Sequence, residues 1–379
     1  MLFSSIPGLT SIKQTLIKGV QNNHVAHAQI FAGPEGSANL AMAIAYACYV
    51  NCENKQQLDS CGLCASCSKY LKLAHPDLHF VFPYSTTKLV PKDPTSGAFL
   101  KEWRSFLTNN PYQNLSQWGE LIGSENKPLI IPVEEARHII KTLSVKSFEA
   151  RYKSMIIWLP ETMRHEAANA ILKILEEPPQ KTLFLLVTHA IDKIIPTILS
   201  RTQKIIVPPF TQEEVYQYLK ARYDADEKQL NNAAYLSEGN VNEAISILLQ
   251  TEHEYRSMFR DWMRLCYMLY KKTSHLIDLN EWVETFSKLS KDNQKNFFQF
   301  GMHILREALV YKATGHQLIK LPPEDLSFVE KFSQVLNEYL IEKIAQKLNE
   351  SAYHIERNAN SKITFMHTTF YIASMFKTP

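Results

Sequence analysis

The chain has no apolar run of bilayer-spanning length, which argues against a membrane-spanning helix. Its opening residues, Met1-Leu-Phe-Ser-Ser-Ile-Pro7, lack the basic, apolar and small-residue order of a secretory leader. An excess of one charge is missing too. Lys and Arg number 41 against 38 Asp and Glu, a formal net charge of +3, so composition alone does not demand a nucleic-acid partner. Together these absences predict a cytoplasmic protein. What is present is length: 379 residues suffice for two or three domains with a sizeable core.

Six cysteines could form disulfides in a secreted chain, but four of them, Cys52, Cys61, Cys64 and Cys67, cluster as Cys-x8-Cys-x2-Cys-x2-Cys. A structural metal ion needs four soft donors converging tetrahedrally, and Cys-x2-Cys turns bring two sulfurs to one ion at little chain cost. Zinc is the expected ion, and iron has the same preference for four thiolates. With all four positions filled by protein, no place remains for a catalytic water, so the ion is expected to be structural. Cys48 and Cys266 lie in helical apolar patterns and are expected in the core.

The pattern is clearest over residues 155–207. Two continuously apolar runs, 155–159 and 182–188, read as strands buried on both faces, as in a parallel sheet. Between them Ala167, Ala168, Ile171, Leu172 and Leu175 recur at helical spacing, and Pro178-Pro179 end the helix. Strand, helix, strand at this length is a right-handed crossover. Upstream, residues 7–20 read as a helix, 27–31 as the first core strand and 41–50 as the helix after it. A turn and second strand follow at 75–82, then a helix over 131–143 with Pro132, Glu134 and Glu135 in its first turn. The expected fold class is an α/β core with a parallel sheet.

Residues 33–40, Gly-Pro-Glu-Gly-Ser-Ala-Asn-Leu, form a glycine turn between strand and helix, the setting in which backbone amides cradle phosphates. The position is right and the chemistry is missing. In Gly-x4-Gly-Lys-Ser/Thr counted from Gly33, the second glycine falls on Ala38, the lysine on Asn39 and the hydroxyl on Leu40. Without the lysine no cation meets the β and γ phosphates, and leucine cannot ligate magnesium. Gly33, Gly36 and Asn39 are therefore expected to form a degenerate loop that does not bind ATP productively.

Residues 169–179, Asn-Ala-Ile-Leu-Lys-Ile-Leu-Glu-Glu-Pro-Pro, followed by Leu199-Ser-Arg-Thr202, resemble the DNA polymerase clamp-loader branch of the AAA+ ATPases. The cysteine module is similar to the zinc module of bacterial members of that branch. The resemblance implies an AAA+-like α/β domain over 1–208, with the zinc module at 52–67 and an insertion at about 84–127. A helical lid over 209–252 and an all-α collar over 253–379 would follow. It also implies that strand 155–159 should end in Asp-Glu, where Trp158 and Leu159 stand; Glu161 lies two residues on. Thr188 matches a polar sensor position, and Asn242 stands where the lid often has an arginine that contacts the nucleotide. Ser200, Arg201 and Thr202 resemble the family's Ser-Arg-Cys, implying that Arg201 reaches across a subunit boundary to a neighbour's ATP. Standing alone, Arg201 would read as an arginine pairing with a nearby carboxylate on a solvated face.

Missing nucleotide chemistry with the zinc module retained is most similar to the delta-prime-type members of the family. That likeness implies a non-catalytic clamp-loader subunit with gamma/tau-type and delta subunits as partners, reaching the sliding clamp and primed DNA through the complex, with no membrane role. An ATP-hydrolysing gamma-type subunit and a zinc-containing interaction protein outside replication remain alternatives. Residues 84–127 have little pattern beyond Phe99, Trp103 and Phe106 at helical spacing, and are expected to be a surface insertion. Beyond residue 253 the pattern is helical. Phe259, Trp262, Met263, Cys266 and Leu269 form one stripe, and Phe297, Phe300, Ile304 and Ala308 another, with a break at Leu321-Pro-Pro-Glu. Residues 355–376 resemble the last collar helix of the family.

Overall fold

The computed structural model describes residues 1–88, 90–92, 94–124, 127–249, 252–271, 275–289, 291–314 and 323–376. It divides into two compact units, Met1–Ser246 and Ile247–Pro379. No helix among the described residues is long and apolar enough to cross a membrane.

The first unit is built on a five-stranded sheet of β1 (Ala28–Ala32), β2 (Leu78–Val81), β3 (Lys153–Trp158), β4 (Thr182–Thr188) and β5 (Gln203–Ile206), in the order β2-β3-β4-β1-β5. All pairings are parallel; Ala28 pairs with Phe184, Met155 also with Phe184, and Gln29 with Gln203. Every residue of β1, β3 and β4 is buried, Gln29, Lys153 and Ser154 included, as strands covered by helices on both faces are. At the edge, β5 is mostly exposed, and Lys204 helps to blunt it against further pairing.

Helices α1 (Thr10–Gln21), α2 (Asn39–Asn51) and α3 (Ala65–Leu71) occupy the connection between β1 and β2 or precede it. All of α2 is buried, from Asn39 to Asn51, consistent with its lack of a polar face. Between β2 and β3 lie α4 (Leu100–Asn109), α5 (Leu115–Leu121) and α6 (Val133–Ser144). The single helix expected before Pro178 is interrupted at Ile171 into α7 (His165–Ala170) and α8 (Leu172–Glu176). The interruption leaves Ala167, Ala168, Ile171 and Leu175 all buried. The short α9 (Pro196–Leu199) leads into β5, after which come α10 (Gln212–Lys220), α11 (Glu227–Leu236) and α12, which starts at Val241.

Residues 84–127 depart from the expectation of a surface insertion. Phe99, Trp103, Phe106 and Trp118 are at most 1% exposed and form an aromatic cluster with Phe80, Phe82 and Trp158. The Trp103 ring stacks on Phe82 at 4.2 Å and meets Trp158 at 5.1 Å, while Trp118 Nε1 donates to Pro83 O at 2.8 Å. Aromatic side chains bury so much area that a segment carrying four of them is stabilised on the sheet, not in solvent. The segment extends the core of the first unit.

Asp77, just before β2, steadies the loop that leads into β3. Its carboxylate accepts the backbone N–H groups of Phe148, Glu149 and Ala150 at 2.7, 2.8 and 2.8 Å. Burial alone would raise its pKa, but the three donors outweigh it and hold the group below the ordinary carboxylate range.

The second unit contains α13 (Glu252–Lys271), α14 (Leu276–Ser287), α15 (Lys291–Thr314), α16 (Pro323–Val335), α17 (Glu338–Glu356) and α18 (Ser361–Met375). Phe259, Trp262, Met263 and Cys266 from one stripe, and Phe297, Ile304 and Ala308 from the other, enter one core, with Leu269 and Phe300 partly buried against it. Phe365 stacks on Phe286 at 4.2 Å and on Trp262 at 5.1 Å, and Trp262 Nε1 donates to Thr369 Oγ1. Of the expected break at 321–324, Leu321 and Pro322 lie outside the described residues.

Candidate functional site

The chemistry-bearing residues of the first unit fall in three places, two of them at opposite ends of α2. At its C-terminal end, Cys52 caps the helix, and Cys61 and Cys64 flank a turn in which Gly62 has φ +72°, a conformation glycine adopts without strain. Cys64 caps α3, and its sulfur accepts the N–H of Cys67 at 3.4 Å. The four sulfurs all lie within 4.8 Å of one another; Cys52 and Cys61 are 3.6 Å apart, Cys61 and Cys67 3.9 Å. A tetrahedral ion with metal–sulfur bonds of about 2.3 Å sets its ligands about 3.8 Å apart. Backbone N–H groups of Cys61 and Cys64 also point at the sulfurs of Cys52 and Cys61, each at 3.3 Å. The N–H groups of Cys64 and Leu63 pull the Cys61 thiol down to about 6, whereas burial pushes Cys52 and Cys67 up. This donor set fits a four-thiolate metal ion. Cys48, whose sulfur is 3.9 Å from that of Cys67, stays outside the four-sulfur group, and Cys266 is buried in the second unit.

At the other end of α2 the glycine turn joins β1 to the helix, beside the end of β4. Asn39, in the lysine position, is fully buried and its side chain is committed. Its Nδ2 donates to Gly33 O at 2.7 Å and Thr188 O at 3.0 Å, and its Oδ1 accepts from the Ser37 hydroxyl. This residue ties the turn to β4 and presents no cation. Leu40 is 4% exposed and offers no oxygen. Trp158, where the resemblance implies an aspartate, is packed into the aromatic cluster, and Leu159 turns the chain with φ +55°.

Glu161 is turned toward β4 instead. Its Oε1 accepts the N–H of His189 at 3.0 Å, and burial raises its pKa. Thr188 Oγ1 accepts the N–H of Ala190, capping the strand. From the far side, Gly36 has φ +76° and is pressed against the start of α12: a Cβ there would lie 1.7 Å from Asn240 Oδ1, and its carbonyl accepts the N–H of Val241. Any side chain at that position would be strained and would have to displace Asn240.

Arg201 lies in the third place, an open cleft lined by Ala26, His27, Glu176 and Gln203. Its Nε donates to Glu176 Oε1 at 2.7 Å and its Nη2 to the same oxygen, while Nη1 donates to Thr197 O at 2.8 Å and Ser200 Oγ at 3.2 Å. Thr202 bonds back to Ile198 O. The Arg201 side chain is 30% exposed and that of Glu176 49%, so the pair contributes at most about 1 kcal/mol. Sequence reasoning did not find Glu176 as the partner, although it lies in the same 169–179 run. It also missed Asn110, Tyr112 and Asn114, whose partners are remote in sequence.

A family model described as "DNA polymerase III, delta subunit" matches residues 8–211, more than half of the chain. The DNA polymerase III subunit gamma of Buchnera aphidicola is 24% identical over 251 residues, covering 65% of this chain and 57% of that protein. The subunit tau of Bacillus subtilis is 26% identical over 253 residues, covering 65% and 37%. The chain thus spans between about a third and somewhat over half of the length of these relatives. A solved Thermotoga maritima protein described as related to the gamma subunit superposes with a TM-score of 0.38 at 16% identity, over 96% of this chain and 99% of that one.

Proposed function

The chain belongs to the DNA polymerase III delta-subunit family, a family of clamp-loader proteins, and from that premise we propose that it is a delta-prime-type subunit that hydrolyses no ATP itself. It works within an AAA+ assembly of gamma/tau-type and delta subunits that places the sliding clamp on primed DNA during replication, in the cytoplasm at the nucleoid. The division into an α/β domain over 1–208, a lid over 209–252 and a collar over 253–379 is part of this reading. So is a structural zinc ion on Cys52, Cys61, Cys64 and Cys67.

One observation carries the proposal: Asn39, standing in the lysine position, spends its side chain on Gly33, Ser37 and Thr188 and leaves nothing for a phosphate. Trp158 in the aspartate position supports it. The cleft that holds Arg201 is open, and its guanidinium can leave an exposed carboxylate at small cost to reach a neighbour's γ-phosphate. Ser200 and Thr202 hold the backbone that aims it.

The test is ATPase measured on the isolated chain and on the assembled loader. The expected result is no turnover alone, turnover in the complex, and a loss on the order of a thousandfold at the affected site with Arg201→Ala. Unchanged complex activity in that variant would remove Arg201 from the mechanism. A second reading, a gamma-type subunit that hydrolyses ATP itself, is favoured by the gamma and tau relatives. It predicts turnover by the isolated chain that Glu161→Gln abolishes.

A further inference from the structure

Residues 110–114 connect α4 to α5 and span the space between the glycine turn and the helices after β5. Asn110 Nδ2 donates to Asn242 Oδ1 at 3.2 Å, and Asn114 Nδ2 donates to Glu35 Oε1 at 3.0 Å. Between them Tyr112, 3% exposed, meets Phe210 edge-on at 5.6 Å and Tyr218 at 5.4 Å. Glu35 belongs to the glycine turn; Phe210, Tyr218 and Asn242 belong to the segment that carries α10–α12. One five-residue stretch therefore grips both walls.

The stretch is itself held by local hydrogen bonds. Asn110 Oδ1 accepts the N–H of Tyr112 at 3.0 Å, Gln113 Nε2 donates to Phe106 O at 2.7 Å, and Asn114 forms a capping box with Gln117 at the start of α5. The aromatic cluster anchors α4 and α5 on either side of it through Trp103, Phe106 and Trp118.

A glycine turn leading into a helix is where phosphates bind when they are present, and the family resemblance implies that the residue at position 242 contacts the same ligand from the lid. Here residues 110–114 join those two points, beside the hydrogen bond from Val241 N–H to Gly36 O that also links them. We propose that residues 110–114 are a built-in substitute for the nucleotide, holding α10–α12 against the glycine turn with no ligand bound. This gives residues 84–127 a function: their aromatic core positions a bridge that makes the closed arrangement permanent. The inference rests on the reading of a degenerate ATP site and explains how a subunit without nucleotide keeps one shape.

Hydrogen exchange on the full chain, with Mg-ATP binding measured on the same sample, tests it. In the wild type, amides over 212–246 should exchange slowly and at rates Mg-ATP does not change. In Tyr112→Ala, and separately in Asn110→Ala with Asn114→Ala, those amides should exchange at least tenfold faster while β1, β3 and β4 keep their wild-type rates. The double asparagine variant removes hydrogen bonds and no aromatic packing, so it stays informative if Tyr112→Ala misfolds. No Mg-ATP binding together with unchanged protection in the variants overturns the bridge alone. Mg-ATP binding that slows exchange over 212–246 in the wild type overturns both the bridge and the degenerate-site reading.

Discussion

The two ends of α2 differ in what their side chains can do. At the C-terminal end the chemistry is complete: four sulfurs converge at spacings suited to one ion, with backbone N–H groups aimed at three of them. At the N-terminal end a glycine turn leads into the helix, and Asn39 stands where the resemblance implies a lysine. Asn39 ties the turn to β4 and Trp158 joins an aromatic core, so each replacement serves packing or hydrogen bonding within the chain. The difference teaches that the buried helix and sheet fix the geometry of both termini whatever side chains stand there. Function has to be read from the side chains at each end.

The largest expected effect breaks the intact end. Removing the metal with a chelator, or Cys61→Ser with Cys64→Ser, should unfold residues 52–71 and lower the thermal midpoint by many degrees, since ligation of a structural ion is folding free energy of about 10 kcal/mol in small zinc modules. Calorimetry and metal analysis check this; a fully reduced, metal-free protein with an unchanged midpoint would deny the module its ion. Next comes Trp158→Ala. It should cost about 3–5 kcal/mol in denaturant unfolding, the usual loss for a buried tryptophan, and so show that this position serves the core.

A smaller effect concerns the support beside the cysteine end. Because the folded pKa of Asp77 lies below the ordinary aspartate value of 3.8, its contribution is complete above that pH and is lost as pH falls through the lower folded value. Asp77→Asn should lose roughly 1–3 kcal/mol at neutral pH and flatten the acid side of the stability profile below pH 3.8. Urea midpoints measured from pH 2 to pH 7 would reveal it. The smallest is Arg201→Ala in the isolated chain. It should shift stability by less than about 1 kcal/mol, since the pair with Glu176 is largely solvated.

How much of this was legible depended on the range over which each feature is encoded. The apolar runs 155–159 and 182–188 mark β3 and β4, the four cysteines announce themselves by spacing, and Asn39 is found in the lysine position by counting from Gly33. All of these are local. The aromatic cluster is not: Trp103 meets Trp158 across a long stretch of chain, and Asn110 lies 132 residues from Asn242. No periodicity records such pairings, so a stretch that reads as surface carries Phe99, Trp103, Phe106 and Trp118 into the core. The interruption at Ile171 was equally hidden, because its residues keep the helical spacing of apolar positions.

Titration calorimetry of Mg-ATP into the isolated, zinc-loaded chain tests the central claim most directly. Heat indistinguishable from dilution up to millimolar nucleotide is the predicted result, with ATPase appearing only when the partner subunits are added. Saturable binding at one nucleotide per chain, accompanied by turnover, would contradict it and make the glycine turn a working site.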